Sequence, residues 1–284
     1  MKNTFLTFVL ILVTSLAFSQ KEVPTAEQIA QFEKSKTYFV LDGNMMSRYN
    51  FKIREVAKEL WKATPFDFIT NAEYEEKRMS KDNSFVTFDQ VWITKDKTKA
   101  EYNFLCLSIG GDFESQKDMP QLCTVPVSYV DVDEESYIYK LSAFIQIIQD
   151  HVKMIETTPT VNKVNVIHQY NKDAYLIKEK ELYVIKDELD KDINTEDKFK
   201  NVYPYKFKFV TREELEDAID NKMPNIVFLH KVGPEGTQRK ARCWKTIIGT
   251  DDSRLYYFNY HMISSKKRDG LLAKDLKRII NTRK

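Results

Sequence analysis

The sequence predicts an α/β protein with mixed sheets, built as two tandem related modules behind a leader that is cut off on export. Three observations predict it. A segment in each half repeats the same residues at the same spacing. Strand and helix patterns alternate at the start of each half. Each half then closes with a run of strands and an amphipathic helix, so each module reads strand–helix–strand–helix–three strands–helix. Alternation calls for parallel pairing, and the run of strands calls for an antiparallel meander, so both sheets must be mixed.

The leader comes first. Met1 to about Ser19 reads as a secretory signal peptide: Lys2 is its only charge, Phe5 to Val13 is apolar, and Ala17 and Ser19 are the small residues a peptidase needs. The apolar run is shorter than the roughly 20 residues of a membrane-spanning helix. No cysteine lies near the cut, which argues against a lipid anchor. The expected location is periplasmic or secreted, with no transmembrane segment after cleavage. Residues 20–36 then form a lead-in with a short helix from Thr25 to Lys34.

Module 1 is assigned to residues 37–158. Tyr38 to Leu41 reads as a strand, and Ile53, Val56, Ala57, Leu60 and Trp61 share one face of the helix that follows. Phe66 to Ile69 alternates as a strand does, Thr70 is a natural helix N-cap, and Glu73 completes a capping box. Strands are expected at Phe85–Val86, Val91–Ile93, Phe104–Ile109 and Val127–Val130. The closing helix, Tyr137 to Ile155, carries Ile138, Leu141, Ile145, Ile148, Val152 and Ile155 on one stripe, widened by Phe144, Ile147 and His151.

Module 2, residues 159–284, is read as an internal repeat of module 1, after a boundary near Glu156–Thr160. Phe66, Phe68, Thr70, Glu73, Glu75, Lys81 and Val86 are matched without gaps by Phe207, Phe209, Thr211, Glu214, Glu216, Lys222 and Val227. Strands are expected at Leu182–Ile185, Ile226–Leu229, Cys243–Ile248 and Leu255–Tyr260, and a final helix from Lys266 to Arg283. The order of strand, helix ending at Leu60–Trp61, Phe66–Thr70 and then Glu73–Glu75 resembles the α/β modules of envelope proteins such as the TolB N-terminal domain. That resemblance implies a fold and no site.

Composition narrows the function. A hydrophobic fraction of 42% with 13% aromatics fills a real core. The formal charge of +2 is too small for the positive field that nucleic-acid binding needs. The three cysteines leave two readings open, a disulfide between Cys106 and Cys123 or three buried reduced thiols, and their spacing makes no zinc site.

No catalytic, cofactor or metal motif stands out. There is no phosphate-binding glycine loop, and His151, His168, His230 and His261 lie far apart in sequence. Asp131, Asp133, Glu134 and Glu135 read as acids favoured before a helix rather than as a calcium loop. Tyr256, Tyr257, Phe258 and Tyr260 place rings on both faces of one strand, either as core or as an aromatic binding face. At the C-terminus, Lys266, Lys267, Arg268, Lys274, Lys277 and Arg278 are candidates for contact with an envelope protein or an anionic surface, the alternative being a solvated helix face.

The expectation is therefore an exported binding or scaffold protein of the cell envelope or exterior, with a cleft or shared face between the modules and with enzymatic activity not favoured. Two alternatives stay open: a secreted or periplasmic hydrolase with its site between the modules, and a protein that binds an anionic membrane through its basic C-terminal helix.

Overall fold

In the computed structural model, residues 23–44, 46–93, 100–158, 160–162, 165–234 and 240–283 are described. The expected leader and the boundary residue Pro159 lie outside them. Among the described residues, no helix is long and apolar enough to cross a membrane.

Module 1 begins with α1 (Ala26–Glu33), β1 (Lys36–Val40), α2 (Arg48–Leu60), β2 (Phe66–Ile69) and α3 (Asn71–Lys77). It continues with β3 (Asn83–Trp92), β4 (Glu101–Ile109), β5 (Gln121–Tyr129) and α4 (Leu141–Thr157). Its sheet has the order β2-β1-β3-β4-β5, parallel across β2-β1-β3 and antiparallel beyond. The expected strands at Phe85 and Val91 are one ten-residue strand, β3.

A short helix, α5 (Val166–Asn171), connects to module 2: β6 (Glu181–Val184), α6 (Glu196–Val202), β7 (Phe207–Phe209), α7 (Arg212–Asp220), β8 (Ile226–Val232), β9 (Arg242–Gly249), β10 (Leu255–Met262) and α8 (Ala273–Asn281). The second sheet has the order β7-β6-β8-β9-β10 with the same parallel and antiparallel pairings. Strand for strand, the two topologies coincide.

The matched segments start both modules alike. Thr70 and Thr211 each accept from the backbone N–H of the glutamate three residues on, and Glu73 and Glu214 answer with bonds from the threonine N–H. The ungapped match fails after the helix. β1 pairs Thr37 with both Phe66 and Ser84, whereas β6 pairs Leu182 with both Phe207 and Val227. Val227 therefore stands where Ser84 does, two positions off the sequence match. The cause is length: α7 has nine residues and α3 has seven. A two-residue slip preserves which face each side chain takes.

The modules share a core. Phe39, Val86, Leu105 and Val125 on sheet 1 and Phe228, Ile226 and Ile248 on sheet 2 belong to one hydrophobic cluster, with α4 between them. That is why α4 buries Leu141, Phe144, Ile145, Ile148 and Val152 almost all round, instead of packing on its own sheet alone. The far face of sheet 2 forms a second cluster under α6 and α8 with Leu182, Val184, Leu229 and Leu276. Tyr256 and Tyr257 are buried in the core, while Tyr260 is exposed.

The disulfide reading gives way to its alternative. Cys106, Cys123 and Cys243 are buried, and among the described residues no disulfide joins them. Cys123 is opposite Leu107 and Cys106 is opposite Thr124. Adjacent residues on a strand point to opposite faces, so the two sulfurs are separated by the sheet.

The C-terminal helix is also shorter than expected. It starts at Ala273, so Lys266, Lys267 and Arg268 lie in a preceding turn closed by the Ser264–Lys267 bridge, and only Lys274, Lys277 and Arg278 ride on α8. Gly270 has φ +125°, a conformation that interrupts any helix through this stretch.

Candidate inter-module binding site

A cleft of about 950 Å³ opens between the modules at the carboxyl ends of β6 and β8. The chain leaves β6 for β7 on one side and returns to β8 on the other, so this is the point where strand order reverses. Open α/β sheets hold ligands at such points because the loops diverge there. The equivalent place in module 1, after β1 and beside β3, carries a smaller pocket of about 250 Å³ lined by Val40, Asp42, Thr87 and Phe88.

Module 1 contributes the end of β5 and the 3-10 turn Ile138–Lys140. Module 2 contributes Glu188, Arg212, the end of β8 from His230 to Gly233, and the turn carrying Arg268 and Asp269. Backbone bonds bring the Glu188 segment and the Arg268–Asp269 turn together: Leu271 N–H donates to Glu188 O, and Asp190 N–H donates to Leu271 O. A Cβ at Gly233 would lie 2.2 Å from Asp269 Oδ1, so only glycine lets that carboxylate close onto β8.

Charges alternate along the cleft wall. The Lys140 ammonium is 3.6 Å from Glu188, and Lys231 donates to Asp269 Oδ2 at 2.9 Å. Burial works against both lysine charges, but Glu188 beside Lys140 and Asp269 beside Lys231 more than offset it and hold both pKa values above the ordinary lysine value. Glu188 also acts on Lys231, which links the two pairs.

His230 sits at the base, 2% exposed, with its ring 4.7 Å from that of Phe144. Its Nε2 is 3.0 Å from the Pro126 carbonyl, which only accepts, so Nε2 carries the proton and Nδ1 is a bare acceptor. Burial, then the nearby Lys140 charge, pushes its pKa down to about 3, so the ring is neutral. Several buried polar atoms in this wall have no hydrogen-bond partner among the described residues: Tyr139 Oη, His230 Nδ1 and Asp269 Oδ1. Native proteins rarely leave such atoms unpaired away from a site.

The sequence-derived candidates fall elsewhere or are already engaged. Arg268 reaches the cleft, but its Nη2 donates to Asp190 at 2.7 Å and to Asp192 at 2.9 Å. Lys266, Lys267, Lys274, Lys277 and Arg278 are exposed and are not cleft residues. The acidic run near Asp131 serves local structure: Asp133 accepts from Glu135 N–H, Glu134 from Tyr49 N–H, and Glu135 pairs with Arg48. No group of acids, histidines and cysteines among the described residues could hold a metal ion.

The histidines do not converge. His151 lies 2.5 Å from the Tyr170 hydroxyl, His168 is exposed, and His261 is bound by Lys245 and the Arg268 carbonyl. Sequence reasoning missed Lys140, Glu188, Lys231 and Asp269. Lys140 interrupts the apolar stripe just before α4, the one local sign that a charge is buried there.

No family model, curated protein or solved structure matches the chain to a significant degree.

Proposed function

We propose that this chain is an exported, non-catalytic binding protein of the cell envelope or exterior, and that it holds a small polar ligand in the inter-module cleft. The observation that carries the reading is one open cleft whose lining residues Tyr139, His230 and Asp269 each hold a buried polar atom with no hydrogen-bond partner among the described residues. Each such atom costs about 1–3 kcal/mol if left dry and unpaired. A bound ligand supplies the missing partners. Cleft size and position at the strand-order reversal support the same reading.

The hydrolase alternative draws on the same cleft, which gathers His230, Glu188 and Asp269. It is weaker because His230, with a pKa near 3, is a poor general base at neutral pH. The Ser136 hydroxyl donates to the Asp133 carbonyl instead of to a base. The membrane alternative loses Arg268 to two carboxylates.

The test is a thermal-shift and calorimetric screen of small polar metabolites against the chain from residue 20 onward. Hits should raise Tm, by up to about 2.7 kcal/mol of added stability at a hundredfold excess over Kd. They should be lost in Ser265→Trp, which places a large ring at an exposed position of the cleft wall. Hits that survive this substitution, or no hits at all, overturn the proposal.

A further inference from the structure

Resting on the cleft as the binding site, we infer that its ligand is a small hydroxylated carboxylate of the sugar-acid class, held by its carboxylate at Lys140, Tyr139 and Arg212 and by its hydroxyls at His230 and Asp269.

The first end of the cleft offers donors. Lys140 is 2% exposed, yet its ammonium has one charge partner, Glu188, at 3.6 Å, too long for a good hydrogen bond. Among the described residues its ammonium also lies 5.1 Å from the centre of the Tyr139 ring. A buried ammonium is stable only when paired and hydrogen-bonded, so its three N–H groups call for another acceptor. The Tyr139 hydroxyl beside it has no hydrogen-bond partner of good geometry among the described residues. Arg212, the first residue of α7, is exposed and close enough for its charge to act on that hydroxyl, and it makes no ion pair among the described residues. Ammonium, hydroxyl and guanidinium together suit an anionic oxygen pair. Glu188 cancels one of the two positive charges, which favours a monoanion such as a carboxylate over a phosphate dianion.

The other end offers acceptors. His230 Nδ1 and Asp269 Oδ1 have no donor among the described residues, and their partner atoms Nε2 and Oδ2 are already engaged by Pro126 and Lys231. A ligand must bring donors to both. Lys231 stands beside Asp269, and Lys140 and Lys231 both bear on His230, so an ammonium would be repelled where a hydroxyl is not. The cleft of about 950 Å³ has room for a sugar ring.

Calorimetry with D-glucuronate, D-glucose, D-glucosamine, acetate and inorganic phosphate tests each part. Glucuronate should bind. Glucose, which lacks the carboxylate, and acetate, which lacks the hydroxyls, should each bind at least about tenfold more weakly, and glucosamine and phosphate more weakly still. Arg212→Ala should weaken glucuronate about tenfold without changing the Tm of the free protein, since Arg212 is exposed and makes no ion pair among the described residues. Lys140→Met combined with Glu188→Leu removes the buried pair as a unit and should abolish the preference for glucuronate over glucose. Equal binding of glucose, phosphate or glucosamine, an unchanged affinity in Arg212→Ala, or no binding of glucuronate each overturns the inference. If another class of compound binds and Ser265→Trp abolishes it, the cleft stands and only the ligand class falls. If glucuronate binding survives Ser265→Trp, the cleft falls.

Discussion

Lys245 Nζ lies 2.8 Å from Asp275 Oδ2, and neither side chain is more than 2% exposed. Each member of the pair has further hydrogen-bond partners. Lys245 also donates to His261 Nδ1, whose Nε2 donates to the Arg268 carbonyl; Asp275 accepts further from Tyr257, Asn259 and the Leu272 N–H. Burial works against the Asp275 carboxylate, but Lys245 and the other donors hold its pKa below the ordinary value. This network binds β9 and β10 to the start of α8. Removing one partner leaves a buried charge, so Lys245→Met should destabilise the protein by about 3–5 kcal/mol. Lys245→Met with Asp275→Leu should recover much of that loss. Urea denaturation of the three proteins checks the order, and a double variant no more stable than the single one would contradict it.

Acid should weaken the fold through two histidines. Burial drives His151 to about 4 and His230 to about 3, against an ordinary value of 6.5. The unfolded chain takes up these protons near pH 6.5 and the native protein does not, so stability falls as pH drops below that value. Each histidine should account for about 2 kcal/mol of loss between pH 7 and pH 5. His230→Asn should remove about half of that pH dependence. An unchanged dependence in the variant would mean that other groups drive it.

Because α4 is packed between both sheets, the modules should unfold together. Trp61 lies within module 1, whereas Trp244 on β9 of module 2 packs its ring against Tyr102 and Phe104 of module 1, and both tryptophans are buried. In variants retaining one of these tryptophans, the two fluorescence transitions should coincide. Phe144→Ala, in the first turn of α4 where the ring meets His230 of β8, should shift both by about 3–5 kcal/mol. A shift confined to Trp61 would show that the cores are separable.

The thiols should be inert in the native state. Burial pushes Cys123 and Cys243 up to about 12, and Cys106 is buried on the opposite sheet face from Cys123. A thiol reagent should therefore find none of the three cysteines until denaturant is added, then all three. An oxidised Cys106–Cys123 pair in the isolated native protein would require the β4–β5 register to shift.

What the amino-acid sequence determined by itself is local. Thr70 with Glu73 and Thr211 with Glu214 start helices wherever they stand, since the bonds they make span only three residues. Alternating apolar residues at Phe66–Phe68 and Phe207–Phe209 mark strands for the same reason, and from such elements the two-module α/β architecture was legible. The tertiary structure decided everything that depends on partners distant in the chain: the two-residue slip at β8, the separation of Cys106 from Cys123, the sharing of α4, and the cleft. Lys140 and Glu188, or Lys231 and Asp269, look like ordinary surface charges in sequence. Only when the modules close around α4 do they lose water, and a desolvated charge must be paired or become part of a site.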